Sequence, residues 1–228
     1  MQSIILSRRD FRENDQIISF YTLEHGKVEA LARGVKKILS KNSAALEPFC
    51  FVEAEIIPGK KDLAHLGSVT PINIFKNIRA DLEKSLMAGY LVKLIDKLIH
   101  PNEPDRRIFE LLTGWLEWVD NAPVIPTEPE GRAEESLSSQ RFRDPHSTVD
   151  QGRLSTALGM TIDAFVTKLL YILGFGVDGI LVQKGWEEIS KMPFDKKLHD
   201  KIYHDLVLHT DIKVKDWAWK LAKTGEIW

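Results

Sequence analysis

Basic side chains crowd the first part of the chain. Arg8, Arg9 and Arg12 lie together, Lys27 and Arg33 follow, and Lys36, Lys37 and Lys41 form a further group. Guanidinium and ammonium groups at such spacing can follow a phosphate backbone and displace its counterions without selecting a base sequence. The same charges also fit a solvated turn, because Asp10, Glu13 and Asp15 are interleaved with the arginines and would screen them. Phe20 and Tyr21 offer rings for base stacking, but neighbouring strand residues point to opposite faces, so at least one of them is expected in the core. A formal net charge of -2 does not decide between these readings, since nucleic-acid binding depends on how charge is distributed over one face.

Other chemistry finds no framework in the sequence. Gly34-Val35-Lys36-Lys37 lacks the remaining glycines and the serine or threonine of a phosphate-cradling loop, and Gly59-Lys60-Lys61 reads as a charged turn. His199, His204 and His209 recur every five residues, so each is rotated by about 140° from the last on a helix and the three cannot face one ion. Cys50 is the single cysteine, which excludes a cysteine-rich zinc site within the chain. No nucleophile elbow, metalloprotease helix or paired metal motif organises the serines, histidines and carboxylates. The expectation is a non-enzymatic chain with no catalytic residues, no metal and no cofactor; a hydrolase is a distant alternative.

The basic groups must be positioned by elements, and over residues 1–76 the apolar spacing is that of strands. Ile4 and Leu6 begin one; Ile17 to Leu23 forms another, and His25-Gly26 turns the chain into Val28, Ala30 and Ala32. Cys50, Val52, Ala54 and Ile56 alternate with Phe49, Phe51, Glu53 and Glu55, and residues 58–62 offer a turn before Leu63 to Thr70. About five short strands in so few residues predict a small barrel, since closure removes exposed edges.

The period changes after residue 77. Leu82, Leu86, Tyr90, Leu94 and Leu98 recur every four residues and predict a long amphipathic helix. Asp105 caps a second helix carrying Ile108, Phe109, Leu112, Trp115, Leu116 and Val119. A polar, proline-bearing stretch near 121–151 reads as a long loop, with room for one short helix. Further helices are expected from about Ile162 to Leu173, ended by Gly174 or Gly176, then over Gln183 to Lys191, Asp195 to Leu208 and Ile212 to Lys223, the last two capped by Asp195 and Asp211. The fold class is therefore α+β, with a five-stranded barrel domain over 1–76 and an α-helical domain over 77–228.

Composition agrees with a folded chain of two domains: 228 residues, 43% apolar and 28% charged, with glycine and proline scattered. The lone cysteine disfavours a secreted, disulfide-stapled scaffold, the N-terminus shows no signal peptide, and the apolar run from Leu169 to Phe175 is far short of the roughly 20 residues that span a bilayer. A cytoplasmic protein is expected.

The run Ile5-Leu6-Ser7-Arg8-Arg9-Asp10-Phe11-Arg12-Glu13-Asn14-Asp15-Gln16-Ile17-Ile18, followed by Phe20-Tyr21-Thr22-Leu23-Glu24-His25-Gly26-Lys27 and Ala32-Arg33-Gly34-Val35-Lys36-Lys37, resembles the N-terminal region of the RecO family of bacterial DNA repair proteins. Ala44-Ala45-Leu46-Glu47-Pro48-Phe49, Leu82 to Leu98 and Phe165 to Phe175 extend the resemblance discontinuously. It implies an OB-fold barrel, binding of single- and double-stranded DNA, strand annealing, and work with RecR to load RecA onto DNA coated by single-stranded DNA-binding protein, in the cytoplasm and at the nucleoid during repair. It also implies that the acidic, hydrophobic C-terminal tail of that coating protein docks on the helical domain, where Phe165, Leu169, Leu170, Leu173 and Phe175 are either core or groove beside Lys168. Trp186, Trp217, Trp219 and Trp228 offer a candidate interface ring, while helix spacing equally explains Trp217 with Leu221 as packing. Carried over together with the local charge pattern, Arg8, Arg9, Arg12, Lys27, Arg33, Lys36 and Lys37 are the expected DNA contacts. Many family members carry a cysteine-rich zinc insertion in the C-terminal half; residues 120–228 contain no cysteine, so zinc is not carried over. The alternative is a repair adaptor that binds proteins and contacts DNA weakly or not at all.

Overall fold

Alternating apolar residues make each early strand two-faced, and both faces are used. A computed structural model describes residues 1–36, 43–59, 63–122, 156–177 and 179–209. The strands are β1 (Gln2–Asp10), β2 (Gln16–Thr22), β3 (Gly26–Ala32), β4 (Phe51–Ile57) and β5 (Ala64–Asn73), with a short 3-10 turn at Ser43–Leu46 before β4. They close in the order β1-β2-β3-β5-β4, with β4 antiparallel to β1 and β3 parallel to β5. That order is an OB-fold barrel, as expected. Ile5, Ile18, Phe20, Ala30, Cys50, Val52 and Ala54 fill its interior, while Ile4, Leu6, Tyr21, Phe49 and Phe75 face outward into a second core shared with helices.

The register of β1 against β2 slips between Ile5 and Ser7. A bulge of this kind breaks the two-residue alternation. Leu6 and Ser7 consequently both face the helices: Leu6 joins the shared core, and the Ser7 hydroxyl donates to Asp96 Oδ2 at 2.8 Å.

Strand gives way to helix at α1 (Lys76–Ala80), followed by α2 (Leu82–Leu98), α3 (Arg106–Asn121), α4 (Thr156–Ile172), α5 (Trp186–Ser190) and α6 (Lys196–His209). The four-residue apolar spacing reproduces α2, except that Leu82 in its first turn is 75% exposed. Asp81 caps α2 through Lys84 N, and Asp105 caps α3 through Arg107 N. Gly174 follows α4 with φ of 86°, the left-handed conformation that favours glycine after a helix. Asp195 accepts from Lys197 N and Leu198 N at the start of α6.

The helix expected over Gln183 to Lys191 is confined to Trp186–Ser190, because the Lys168 ammonium takes the Val182 and Lys184 carbonyls and holds that segment as a turn. The expected helix over Ile212 to Lys223 lies outside the described residues, as does nearly all of the 121–151 stretch. Phe165 packs edge-on to Trp115 and stacks on Trp186, joining α3, α4 and α5.

Several polar contacts fix the barrel to the helices. Arg79 of α1 lies 4.3 Å over the Phe49 ring and donates to the Pro48 and Ile74 carbonyls. The Tyr21 hydroxyl donates to Asp105 O and accepts from Asp105 N, each at 3.2 Å; burial pushes it up to about 12, so it remains protonated and able to donate. Among the described residues no helix is long and apolar enough to cross a membrane.

Candidate nucleic-acid interface

Antiparallel pairing gathers residues that the sequence separates. Arg8 and Arg9 near the end of β1 lie opposite Ile18 and Ile17, Asp10 lies opposite Gln16, and Gln16 lies opposite Ala32 at the end of β3. Arg8, Arg9, the β1–β2 loop with Arg12, and the segment after β3 with Arg33 and Lys36 therefore meet at one end of the barrel. All five of these side chains are exposed. Lys27 is set apart from them at the opposite end of β3. Its ammonium donates to the Asp96 carbonyl and lies 3.1 Å from Asp96 Oδ1, with the side chain only 16% exposed. Lys37 lies outside the described residues.

The cationic end is laced with carboxylates. Arg8 pairs with Glu47 at 2.5 Å, Arg9 with Glu29 at 2.9 Å and Lys36 with Asp10 at 2.9 Å. Hydrogen bonds from Gln16 and then Lys36 hold the Asp10 carboxyl below the usual carboxylate range, so it stays ionised there. Exposed pairs of this kind are worth up to about 1 kcal/mol each, little enough for a phosphate to replace the carboxylate. Arg12 and Arg33 have no carboxylate partner among the described residues. Neither has an ion pair there to break before it meets an anion.

The loop between β1 and β2 is a braced turn. Phe11 N donates to Asp15 O at 3.1 Å, Asp15 Oδ1 accepts from Gly34 N at 2.8 Å, and Asn14 O accepts from Lys36 N at 3.2 Å. Its aromatic residue, Phe11, is 45% exposed, with the Arg12 guanidinium 5.1 Å from the ring centroid. The rings singled out from sequence are both fully buried: Phe20 inside the barrel and Tyr21 against the helices. Phe11 was legible only as an aromatic inside the charged run Arg9-Asp10-Phe11-Arg12-Glu13, where no apolar alternation calls for one. Beside the cluster, Arg33 lines a cavity of about 380 Å³ with Leu31, Val35, Leu46, His65 and Leu66.

On the helical side, Phe165, Leu169 and Leu170 are fully buried and Leu173 and Phe175 pack against the same core. Lys168 is turned inward onto loop carbonyls, 5.4 Å from the Trp186 ring. Trp217, Trp219 and Trp228 lie outside the described residues. No group of histidine, cysteine and carboxylate side chains among the described residues is placed to hold a metal ion.

Two family profiles match the chain, "Recombination protein O N terminal" over residues 1–75 and "Recombination protein O C terminal" over residues 79–132. Among curated relatives, the DNA repair protein RecO of Geobacter metallireducens is 33% identical over 127 residues, covering 56% of this chain and 52% of that protein. The RecO proteins of Geobacter sulfurreducens, 35% identical over 127 residues, and Syntrophus aciditrophicus, 36% over 116 residues, are similar in the same way. The matched stretch spans 52% and 45% of these two relatives.

Proposed function

Because the chain belongs to the RecO family of recombination proteins, we propose that it is a DNA-binding recombination mediator that uses the cationic end of its barrel to hold single strands and anneal them. The observation that carries this reading is the convergence of Arg8, Arg9 and Arg12 with Arg33 and Lys36, from two separate stretches of sequence, onto one exposed end of an OB-fold barrel. Phosphates held there lose their mutual repulsion, and complementary bases then supply the recognition. No bond in the nucleic acid is made or broken. Family membership further supports RecR and the C-terminal tail of single-stranded DNA-binding protein as partners, and loading of RecA onto coated single strands as the outcome.

A repair adaptor with weak DNA contact is the second reading, favoured by one observation: Arg8, Arg9 and Lys36 already hold carboxylates. A salt titration separates the two. Replacing Arg9, Arg12, Arg33 and Lys36 with glutamine removes charge and keeps hydrogen-bonding capacity. Neutralising each cation that meets a phosphate should reduce the slope of log affinity against log salt by about 0.7 for single strands. Weaker binding, a shallower slope and slower annealing by a variant with wild-type circular dichroism support the mediator reading. Wild-type values for all three leave the adaptor.

A further inference from the structure

We infer that Phe11 is a stacking platform for one unpaired base, and that it gives this chain a preference for single strands over duplex; the inference rests on the reading of the barrel end as a DNA-binding surface. An exposed phenylalanine at the tip of a charged turn gains little from the core, and this one is 45% exposed in the free protein. Its backbone is nevertheless held in place. Main-chain bonds close the loop through Asp15, and Asp15 and Asn14 fasten the loop to Gly34 and Lys36. A ring on a braced loop loses little freedom when a base settles on it, so more of the stacking energy appears as affinity.

The surroundings of the ring complete the site. Arg12 sits over the ring at 5.1 Å, and among the described residues no second ring or cation covers it. Arg33 and Lys36 follow the strand that neighbours this loop, and both are exposed. A base on Phe11 would therefore have its flanking phosphates beside Arg12, Arg33 and Lys36. Bases in a duplex are already stacked and paired, and a flat ring on the protein surface offers them nothing. The platform acts only on unpaired bases and is indifferent to their identity, because every base has a π-face.

Phe11→Leu keeps apolar bulk and removes the π-face. Its affinity for oligothymidylate should fall about tenfold, within the range carried by one stacked base, with duplex affinity and salt slope unchanged. An oligonucleotide of abasic sites should bind wild type and Phe11→Leu equally. Phe11→Trp should retain single-strand affinity and add a fluorescence component, absent from wild type, that is quenched as oligothymidylate is titrated. Unchanged oligothymidylate binding by Phe11→Leu, no added quenching in Phe11→Trp, or an equal loss on single strand and duplex overturns the platform while leaving the DNA-binding surface in place. Failure of wild type to bind either DNA removes that surface and the platform with it.

Discussion

The Ser19 hydroxyl donates to Asp96 Oδ1 at 2.7 Å, joining the middle of β2 to the last turns of α2. The other carboxylate oxygen takes the Ser7 hydroxyl from β1, and Lys27 from β3 reaches both the side chain and the carbonyl of the same residue. One carboxylate thus clamps three consecutive strands to a helix. Asp96→Ala should cost about 3 kcal/mol, because it leaves a largely buried ammonium without its counter-charge, though still on the main-chain carbonyl, and a buried hydroxyl without its acceptor. Asp96→Asn should cost less, about 1–2 kcal/mol, since an amide still serves both hydroxyls. Urea unfolding of the two variants checks the ranking, and equal losses would contradict the clamp.

The shared core makes a second expectation. Ile4, Leu6, Tyr21, Phe49 and Phe75 of the barrel side belong to the same buried cluster as α2, α3 and α4. Residues 1–76 alone would present those side chains to water, so the fragment should bind a hydrophobic dye and aggregate. The full chain should unfold in a single transition by fluorescence and circular dichroism alike. Two resolved transitions, with a soluble fragment 1–76 of native circular dichroism, would establish independent domains instead.

The helices are largely legible in the sequence because their signals are local. Spacing every four residues marks α2, and Asp105 and Asp195 announce caps that the structure contains. The strands are legible from alternation, but their consequences are not. The slip after Ile5 is invisible in composition, yet it resets which face Arg8 and Arg9 take. Convergence of Arg12 with Arg33 depends on long-range pairing, and no spacing in the sequence encodes it. Lys27 resembles its neighbours as a cation, while its partner lies 69 residues away. Asp163 escapes notice for the same reason: a single acid in a helical pattern looks solvated, and its partner His199 sits on another helix.

Gly26 opens β3 at the end of the turn from β2, at φ of 67°, where L side chains are strained. A Cβ there would stand 2.2 Å from the Glu103 carbonyl oxygen, in the connection between α2 and α3. That neighbour is backbone and cannot rotate aside. Gly26→Ala should cost about 2–4 kcal/mol through combined strain and overpacking. Gly176→Ala is the control: nothing lies within 4 Å of its added Cβ, and its stability should stay within about 0.5 kcal/mol of wild type. Similar denaturation midpoints for the two variants would contradict the close approach.

Asp163 of α4 is almost wholly buried, and its carboxylate oxygens lie 2.8 Å and 3.0 Å from His199 Nδ1 of α6. Burial pushes the Asp163 carboxyl up, opposed by His199, and the hydrogen bond to Asp163 raises the His199 imidazole, opposed by burial. Tyr90 of α2 and Asp200 and Tyr203 of α6 are the other ionisable groups felt by the pair, and both tyrosines stay neutral because burial raises them. A histidine with a raised folded pKa binds its proton more tightly in the native state. Its contribution is complete below the unfolded value of about 6.5 and is lost as pH climbs through the raised one. Asp163 has the same sign at lower pH: the folded state takes up its proton first, so this carboxyl does not drive acid unfolding. Wild-type stability should therefore decline from pH 6 into the mildly alkaline range, as the buried carboxylate loses its cation. His199→Gln should cost about 1–3 kcal/mol near pH 6, below the full value of a broken buried pair because the imidazole is 32% exposed. It should also flatten the decline. Urea denaturation of both proteins from pH 6 to 9 measures the two slopes, and parallel curves would show that the pair does not govern the pH dependence of α6 packing.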